Sequence, residues 1–218
     1  MNIGVLGGSG KEGSGLAYRW ALAGHAVVIG SRDAGKAQTS AAELNQLLGG
    51  KARVRGASNA EAAQAAIVVL TVPFAAQLAT AESVAGQLAG KILIDVTVPL
   101  TPPRVDKVQL PNGESAVLAL QRRLGAQVKV VSAFQNVSAT HLKDAAHEVD
   151  CDVLVCGDDA EAREVVIGLA HDAGLRAWHA GVLANSVASE ALTSVLIAIN
   201  KRYKVAGSGI RITGVMRD

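Results

Sequence analysis

A hydroxyl and two cations follow a short apolar run near the start of the chain. The stretch "VVIGSRDAGK" places Ser31, Arg32 and Lys36 directly after residues that would form a buried strand. Cations about one helical turn apart can bind the same phosphate group. Enzymes that use NAD place an Asp or Glu here for the ribose 2′-OH, and that carboxylate would repel a 2′-phosphate. The pattern therefore favours NADP over NAD, with Asp33 predicted to cap the next helix.

A glycine-rich turn precedes this strand. In "GGSGKEG", Gly8, Gly10 and Gly13 satisfy G-x-G-x-x-G, and Gly7 stands just before them. The motif follows a predicted strand and opens a predicted helix, which is the arrangement of dinucleotide-binding turns. Glycines there allow a tight turn, approach of a pyrophosphate and close packing of helix on strand. The sequence therefore predicts that the phosphates lie at this helix N-terminus.

Apolar strands and helices alternate through the first hundred residues. The strands are continuous apolar runs, such as "IVVL" and "KILID", which are typical of strands covered on both faces. We therefore predict an α/β fold, a Rossmann-type doubly wound parallel sheet with a small C-terminal α/β extension. Residues 1–140 would form the NADP-binding Rossmann domain. Residues 141–218 would form a smaller part that completes the substrate pocket and a dimer interface.

Three predicted strands end in "TVPF", "DVTVPL" and "SAFQNVSA", where a doubly wound sheet binds its ligand. These ends carry small hydroxyls and prolines, so no catalytic side chain is predicted. The histidines match no metal-ligand spacing, and no metal site is predicted. His141 or Thr140 would be the proton donor if the substrate were a carbonyl. An apolar cleft is better suited to hydride exchange between two stacked rings.

Composition excludes several classes of partner. A net charge of +2 is too small to indicate nucleic acid or an anionic membrane surface. No uninterrupted apolar run is long enough for a membrane span, and no signal peptide is predicted. Cys151 and Cys156 would face opposite sides of one strand as free thiols. A cytoplasmic location is consistent with free thiols.

Several stretches resemble the NADPH-dependent reductases of the deazaflavin coenzyme F-420 (F420). They include "GVLGGSGKEGSGLAYRWALAGHAVVIGSRDAGKA", "DVTVPL", "VVSAFQNVSA", "DVLVCGDD" and "AGSGIRITG", and together they extend over nearly the whole chain. The resemblance implies a homodimer that transfers hydride between nicotinamide and deazaflavin. It also implies that Ser9, Lys11 and Glu12 line the pyrophosphate turn and that Ser31, Arg32 and Lys36 hold the 2′-phosphate.

The resemblance further implies a cleft for the two rings at the strand ends. On this resemblance Val72, Val98 and Ala139 would flank the nicotinamide. The strand ends predicted above would add Thr71, Pro73, Pro99 and Ala133 to the same side. The second substrate would contact Phe134, Gln135, Asn136, Ser138 and Gly207. Gln135 and Ser138 replace a His and a Pro of the archaeal family pattern. The alternatives are an NADP-dependent reductase of another small ring, imine or carbonyl (a pterin or flavin, for example) and a non-catalytic NADP-sensing protein. The helix at 184–200 would form the dimer interface.

Overall fold

The computed structural model describes residues 1–215 of the 218. The last three residues of the predicted C-terminal part lie outside the described residues. The strands within 1–215 are β1 (Asn2–Leu6), β2 (Ala26–Ser31), β3 (Val54–Ser58), β4 (Ile67–Leu70), β5 (Ile92–Asp95), β6 (Lys129–Ser132), β7 (Asp152–Gly157) and β8 (Arg176–His179). The helices are α1 (Lys11–Leu22), α2 (Ala34–Leu48), α3 (Asn59–Ala62), α4 (Gln77–Ser83), α5 (Ala85–Leu88), α6 (Ala116–Leu124), α7 (Ala160–Asp172) and α8 (Ser186–Tyr203).

The strands form one sheet in the order β3-β2-β1-β4-β5-β6-β7-β8. Strands β1 to β6 are mutually parallel, β7 is antiparallel to β6, and β8 is parallel to β7. Because β4 returns to the other side of β1, the strand order reverses between these two strands. This confirms the predicted Rossmann-type fold, whose ligand crevice lies at such a reversal. The reversed direction of β7 is a feature that the sequence analysis did not predict.

Apolar side chains cover both faces of the sheet. Ile3 and Val5 belong to one buried cluster, with Trp20 of α1 and Leu44 of α2. Leu6 belongs to a second cluster, on the other face, with residues of α5 and α6. Successive residues of a strand point to opposite faces, so a strand that is apolar throughout supplies both clusters. The continuous apolar runs seen in the sequence have this origin.

Helix α2 begins as predicted. Asp33 is its N-cap, and its carboxylate accepts hydrogen bonds from the backbone N–H groups of Gly35 (2.9 Å) and Lys36 (3.3 Å). The cap satisfies two donors that the first helical turn leaves unpaired. The Asp33 carboxylate is therefore engaged with the helix beside the two cations that flank it in sequence.

Helix α8 is the most apolar long helix of the described chain. Leu183–Tyr203 is long and apolar enough to cross a membrane by length and composition alone, with a mean hydropathy of 1.2. Buried Glu190 nevertheless lies within it and accepts hydrogen bonds from Ser115 Oγ (2.6 Å) and the backbone N–H of Ala116 (2.8 Å). These hydrogen bonds connect α8 to the N-terminus of α6. The two cysteines are free and buried, as predicted.

Candidate active site

Two adjoining cavities lie at the carboxyl edge of the sheet, where the strand order reverses. The first has a volume of about 220 Å³ and is lined by Gly7, Ser9, Gly10, Ser31, Arg32, Asn59, Thr71, Val72, Pro73, Ala76 and Thr80. The second has a volume of about 420 Å³ and is lined by Gly10, Lys11, Glu12, Thr71, Val72, Pro73, Phe74, Val96, Thr97, Val98, Leu100, Phe134, Gln135, Val137 and Thr193. Gly10 and Thr71 to Pro73 line both cavities, so one elongated ligand can extend through both.

The glycine turn connects β1 to α1 and borders both cavities. Gly7 has a φ of 73°, and the Gly8 N–H donates to the carbonyl groups of Val5 and Gly30. At Gly13, a Cβ atom would lie 2.4 Å from Thr71 Oγ1, so only glycine lets α1 approach β4 this closely. These observations agree with the roles expected of the first and third glycines in a dinucleotide-binding turn.

The N-terminus of α1 is open to a ligand. Gly10 is its N-cap, and glycine has no side chain that could accept a hydrogen bond from the first turn. Uncapped N–H groups at a helix N-terminus bind anions, since the donors are unpaired and the helix dipole adds positive potential. Asn59 supports the turn from the side, because its Oδ1 accepts from the Gly7 N–H at 3.4 Å. The site therefore fits the pyrophosphate of a dinucleotide.

The end of β2 leads to a cation, Arg32, at the first cavity. Ser31 and Arg32 line it, while Lys36 is exposed in the first turn of α2 without lining it. Among the described residues, no carboxylate forms an ion pair with Arg32 or Lys36. Unpaired guanidinium and ammonium groups beside a hydroxyl fit a phosphate ester, which Arg can bind through two hydrogen bonds.

Hydrogen bonds fix the floor of the second cavity. Buried Asp95 ends β5 and accepts from the Gln77 side chain and from the Thr97 N–H at 2.9 Å. Its backbone carbonyl accepts from Gln135 Nε2 at 2.7 Å, and Thr193 Oγ1 donates to the Gln135 carbonyl at 2.7 Å. Burial raises the pKa of Asp95, while hydrogen bonds from Thr97 and Gln77 oppose that shift. The network connects β5, the segment after β6 and α8 along this side of the cavity.

Phe134 follows β6 and lines the second cavity, and the chain changes direction at this residue. Its φ is 73°, a backbone conformation that bulky side chains rarely adopt. The ring is held in the core against Trp20, in an edge-to-face arrangement with centroids 5.9 Å apart. Packing therefore fixes this uncommon backbone geometry at the cavity wall.

Glu12 is the acidic group of the second cavity. The residue as a whole is half-buried, but its Oε1 atom is shielded from solvent and has no hydrogen-bond partner among the described residues. Burial raises the pKa of this carboxyl from its ordinary 4.5 to about 8. A carboxyl group that titrates near neutral pH therefore lies in the cavity where the rings would meet.

The structure brings together most, but not all, of the predicted site residues. Those that line the cavities are Gly7, Ser9, Gly10, Lys11, Glu12, Ser31, Arg32, Thr71, Val72, Pro73, Val98, Phe134 and Gln135. Those that do not line them are Gly8, Gly13, Lys36, Pro99, Ala133, Asn136, Ser138, Ala139 and Gly207. Of these, Gly8 and Gly13 shape the glycine turn. Gly207 packs closely on Ser138, since a Cβ atom added at Gly207 would lie 2.8 Å from the Ser138 side chain. The sequence analysis missed Asn59, Ala76, Thr80 and Thr193. The predicted strand ends contain five further lining residues that it did not name individually: Phe74, Val96, Thr97, Leu100 and Val137.

The proton donors considered for a carbonyl substrate lie outside both cavities. The His141 ring stacks on the His147 ring, with centroids 3.9 Å apart, and the Thr140 hydroxyl donates to the backbone carbonyl of Ala206 at 3.5 Å. Neither His141 nor Thr140 lines either cavity. Their positions therefore do not support a role in proton transfer for His141 or Thr140.

Comparisons with known proteins agree with this geometry. The sequence profile described as "NADP oxidoreductase coenzyme F420-dependent" matches residues 2–99. The chain is 41% identical to an F420-dependent NADP reductase of Methanothermobacter thermautotrophicus, over 99% of this chain and 96% of that protein. It is 40% identical to a protein of the same name from Methanocaldococcus jannaschii, over 99% of each chain.

A solved structure from Arthrobacter sp. FB24, assigned provisionally to the F420-dependent NADP reductases, superposes with a TM-score of 0.80. It is 29% identical in sequence, and the match covers 97% of this chain and 98% of the other. The similarity thus extends through both the glycine-turn half and the C-terminal half. The chain belongs to the family of F420-dependent NADP reductases.

Proposed function

We propose that this protein transfers hydride between NADP(H) and coenzyme F420. The observation that carries the proposal is the junction of two unlike cavities. One combines the N-terminus of α1, whose N-cap is Gly10, with Arg32, which forms no ion pair among the described residues. The other is a mainly apolar cleft with hydrogen bonds around Gln135. A dinucleotide phosphate end fits the first cavity, and two stacked rings fit the second. The proposal agrees with the function named for the archaeal relatives.

The protein residues would act mainly by binding and orientation. The glycine turn and the α1 N-terminus would hold the pyrophosphate, and Ser31, Arg32 and Lys36 would hold the 2′-phosphate. Val72, Pro73 and Val98 would support the nicotinamide, and Gln135 would face the second ring. Hydride transfer needs the two rings at near-contact distance and little water between them. The redox chemistry itself belongs to the nicotinamide and the deazaflavin.

Reduction of F420 by NADPH tests this proposal. We expect purified protein to bleach the visible absorbance of oxidised F420 in the presence of NADPH, and to do so much more slowly with NADH. Flavin and pterin acceptors serve as controls in the same assay. Turnover of a pterin, flavin or imine without turnover of F420, by folded protein that binds NADPH, would contradict the proposal.

We also propose a homodimer formed through α8. Val195 and Ile199 lie one turn apart on this helix and are 45% and 36% exposed. Tyr203, four residues further, is 72% exposed. Exposed apolar residues in one stripe are typical of a helix that packs against a partner. The division into a cofactor-binding part (1–140) and a smaller part (141–218) stays a proposal, supported by Thr193 of α8 at the cavity wall.

Substitution of Val195 by lysine should convert the dimer into monomers. A charge in the centre of an apolar contact must be desolvated without a partner, which opposes association. Light scattering coupled to size exclusion would report the mass. The control is Leu47→Lys on α2, which is 56% exposed and lies outside α8. A monomeric parent protein at micromolar concentration would contradict the dimer proposal.

We further propose a cytoplasmic protein whose partners are the two small redox molecules, without nucleic acid or membrane. The two free cysteines and the small net charge support this assignment. The hydrogen bonds between Glu190 and α6 support a packed, rather than membrane-spanning, α8.

A further inference from the structure

The proposed reaction needs a proton as well as a hydride. When NADPH reduces a deazaflavin, the acceptor gains two electrons with one hydrogen at carbon, and a ring nitrogen takes up a proton. An enclosed ring cannot take that proton freely from bulk water, so a group of the protein would have to deliver it. The strand ends, considered as sequence alone, offered no such group.

Glu12 is placed to be that group. Glu12 lines the ring cavity, and its Oε1 is shielded from solvent without a hydrogen-bond partner among the described residues. An ionised carboxylate left unpaired in such surroundings is costly, whereas a protonated carboxyl can donate to whatever enters the cavity. Resting on the proposed function, we infer that Glu12 is the acid–base residue that supplies the proton accompanying hydride transfer to F420 and takes it back in the reverse direction.

Among the described residues that line this cavity, Glu12 is the one acid. The cavity wall comes from the start of α1, the ends of β4, β5 and β6, and α8, and Lys11 and Glu12 are its titratable members. Asp95, beneath the end of β5, is already hydrogen-bonded to Gln77 and Thr97. Glu190 of α8 is engaged with the N-terminus of α6. Glu12 is therefore the unengaged carboxyl among the described residues that form this wall.

Charge balance explains why the site would keep a neutral carboxyl. The C4–H bond of reduced nicotinamide breaks, its electron pair forms a C–H bond on the deazaflavin, and the nicotinamide becomes a cation. Glu12 gives its proton to the nitrogen of the reduced deazaflavin and becomes a carboxylate. That carboxylate faces the new pyridinium charge in a poorly solvated cavity, where opposite charges attract strongly. A proton from solvent restores the acid after product release.

Proton release on cofactor binding tests the inference without F420. NADP⁺ brings a positive ring that favours ionised Glu12, whereas NADPH brings a neutral ring. Because the carboxyl has a pKa of about 8, it is mostly protonated at pH 7.5 before binding. Calorimetry in buffers of different ionisation enthalpy should therefore show that NADP⁺ releases up to about one proton more than NADPH. Protons linked to the shared 2′-phosphate cancel in this difference.

Glu12→Gln should abolish the difference in proton release, and Glu12→Asp should restore part of it. Glu43→Gln, at an exposed position of α2 that lines neither cavity, should retain the difference. The same difference in Glu12→Gln as in the parent protein would overturn the inference. Circular dichroism would verify that each variant is folded.

A kinetic measurement separates this inference from the proposed function. In single turnovers, F420 reduction by the parent enzyme should slow as the pH rises through about 8, because Glu12 loses its proton. Glu12→Gln should be about 100-fold slower and should lose this dependence relative to the parent enzyme. If F420 is not reduced but the difference in proton release depends on Glu12, the proposed substrate is wrong, while the assignment of Glu12 as an acid–base residue is retained. Equal rates and equal pH profiles for the parent enzyme and Glu12→Gln would exclude Glu12 as the proton donor.

Discussion

Replacement of Arg32 by alanine is expected to weaken NADPH binding by about 100-fold while leaving NADH binding within about threefold of the parent protein. A hydrogen bond to a charged partner is worth about 1.5–3 kcal/mol, and about 1.4 kcal/mol corresponds to a factor of ten in affinity. Arg32 lines the phosphate-side cavity and has no carboxylate partner among the described residues. Its loss would therefore remove the proposed interaction with the 2′-phosphate, which NADH lacks. Fluorescence titration of both reduced nucleotides would measure the effect.

The matched control is Arg53→Ala. Arg53 is also exposed, but it precedes β3 at the opposite edge of the sheet from the glycine turn. Its removal changes net charge by the same amount, so it accounts for any long-range electrostatic effect on an anionic ligand. Lys36→Ala should give a smaller loss than Arg32→Ala, because Lys36 does not line the cavity. Equal losses of NADPH and NADH affinity in Arg32→Ala would contradict the phosphate assignment.

The sequence predicted the fold well because each local signal agreed with its neighbours. Continuous apolar strands, capped helices such as α2 and the glycine turn all indicate the same doubly wound sheet. The direction of β7 could not be predicted in this way. Parallel and antiparallel neighbours both present apolar side chains to two covered faces, so hydrophobic patterning does not distinguish them.

Much of the lining of the first cavity was also predictable, since the glycine turn and the residues after β2 are recognisable as short stretches of sequence. The lining of the second cavity was less predictable. Thr193 approaches from α8, and its hydroxyl reaches the Gln135 carbonyl across 58 positions of sequence. Asn59 follows β3 directly, at the same edge as Ser31, and this position was a signal that could have found it. Among the described residues Glu12 Oε1 is buried without a hydrogen-bond partner, a result of packing that sequence spacing does not report.

Arg19 illustrates the same limit within a helix. In sequence it is one cation in the amphipathic pattern of α1, where an exposed position would be the ordinary expectation. In the structure it is 8% exposed, and its guanidinium donates to the backbone carbonyls of Leu142, Ala173, His141, Asp144 and His147. Burial lowers the pKa of Arg19, and the nearby Asp144 carboxylate opposes the shift. Arg19 thus holds the irregular segment between β6 and β7 through hydrogen bonds to its backbone carbonyl groups.

Substitution of Arg19 by methionine should destabilise the protein by about 3 kcal/mol or more, a large share of the roughly 5–15 kcal/mol typical of a folded domain. Methionine fills much of the same space but donates no hydrogen bond, so buried carbonyl groups lose their partner at about 1–3 kcal/mol for each one that water cannot reach. Urea unfolding followed by circular dichroism would measure the loss. Arg123→Met is the matched control, since Arg123 is exposed and its ion pair with Glu82 lies at the surface, where such pairs contribute about 0–1 kcal/mol. Similar losses in the two variants would show that the Arg19 hydrogen bonds do not hold this segment in place.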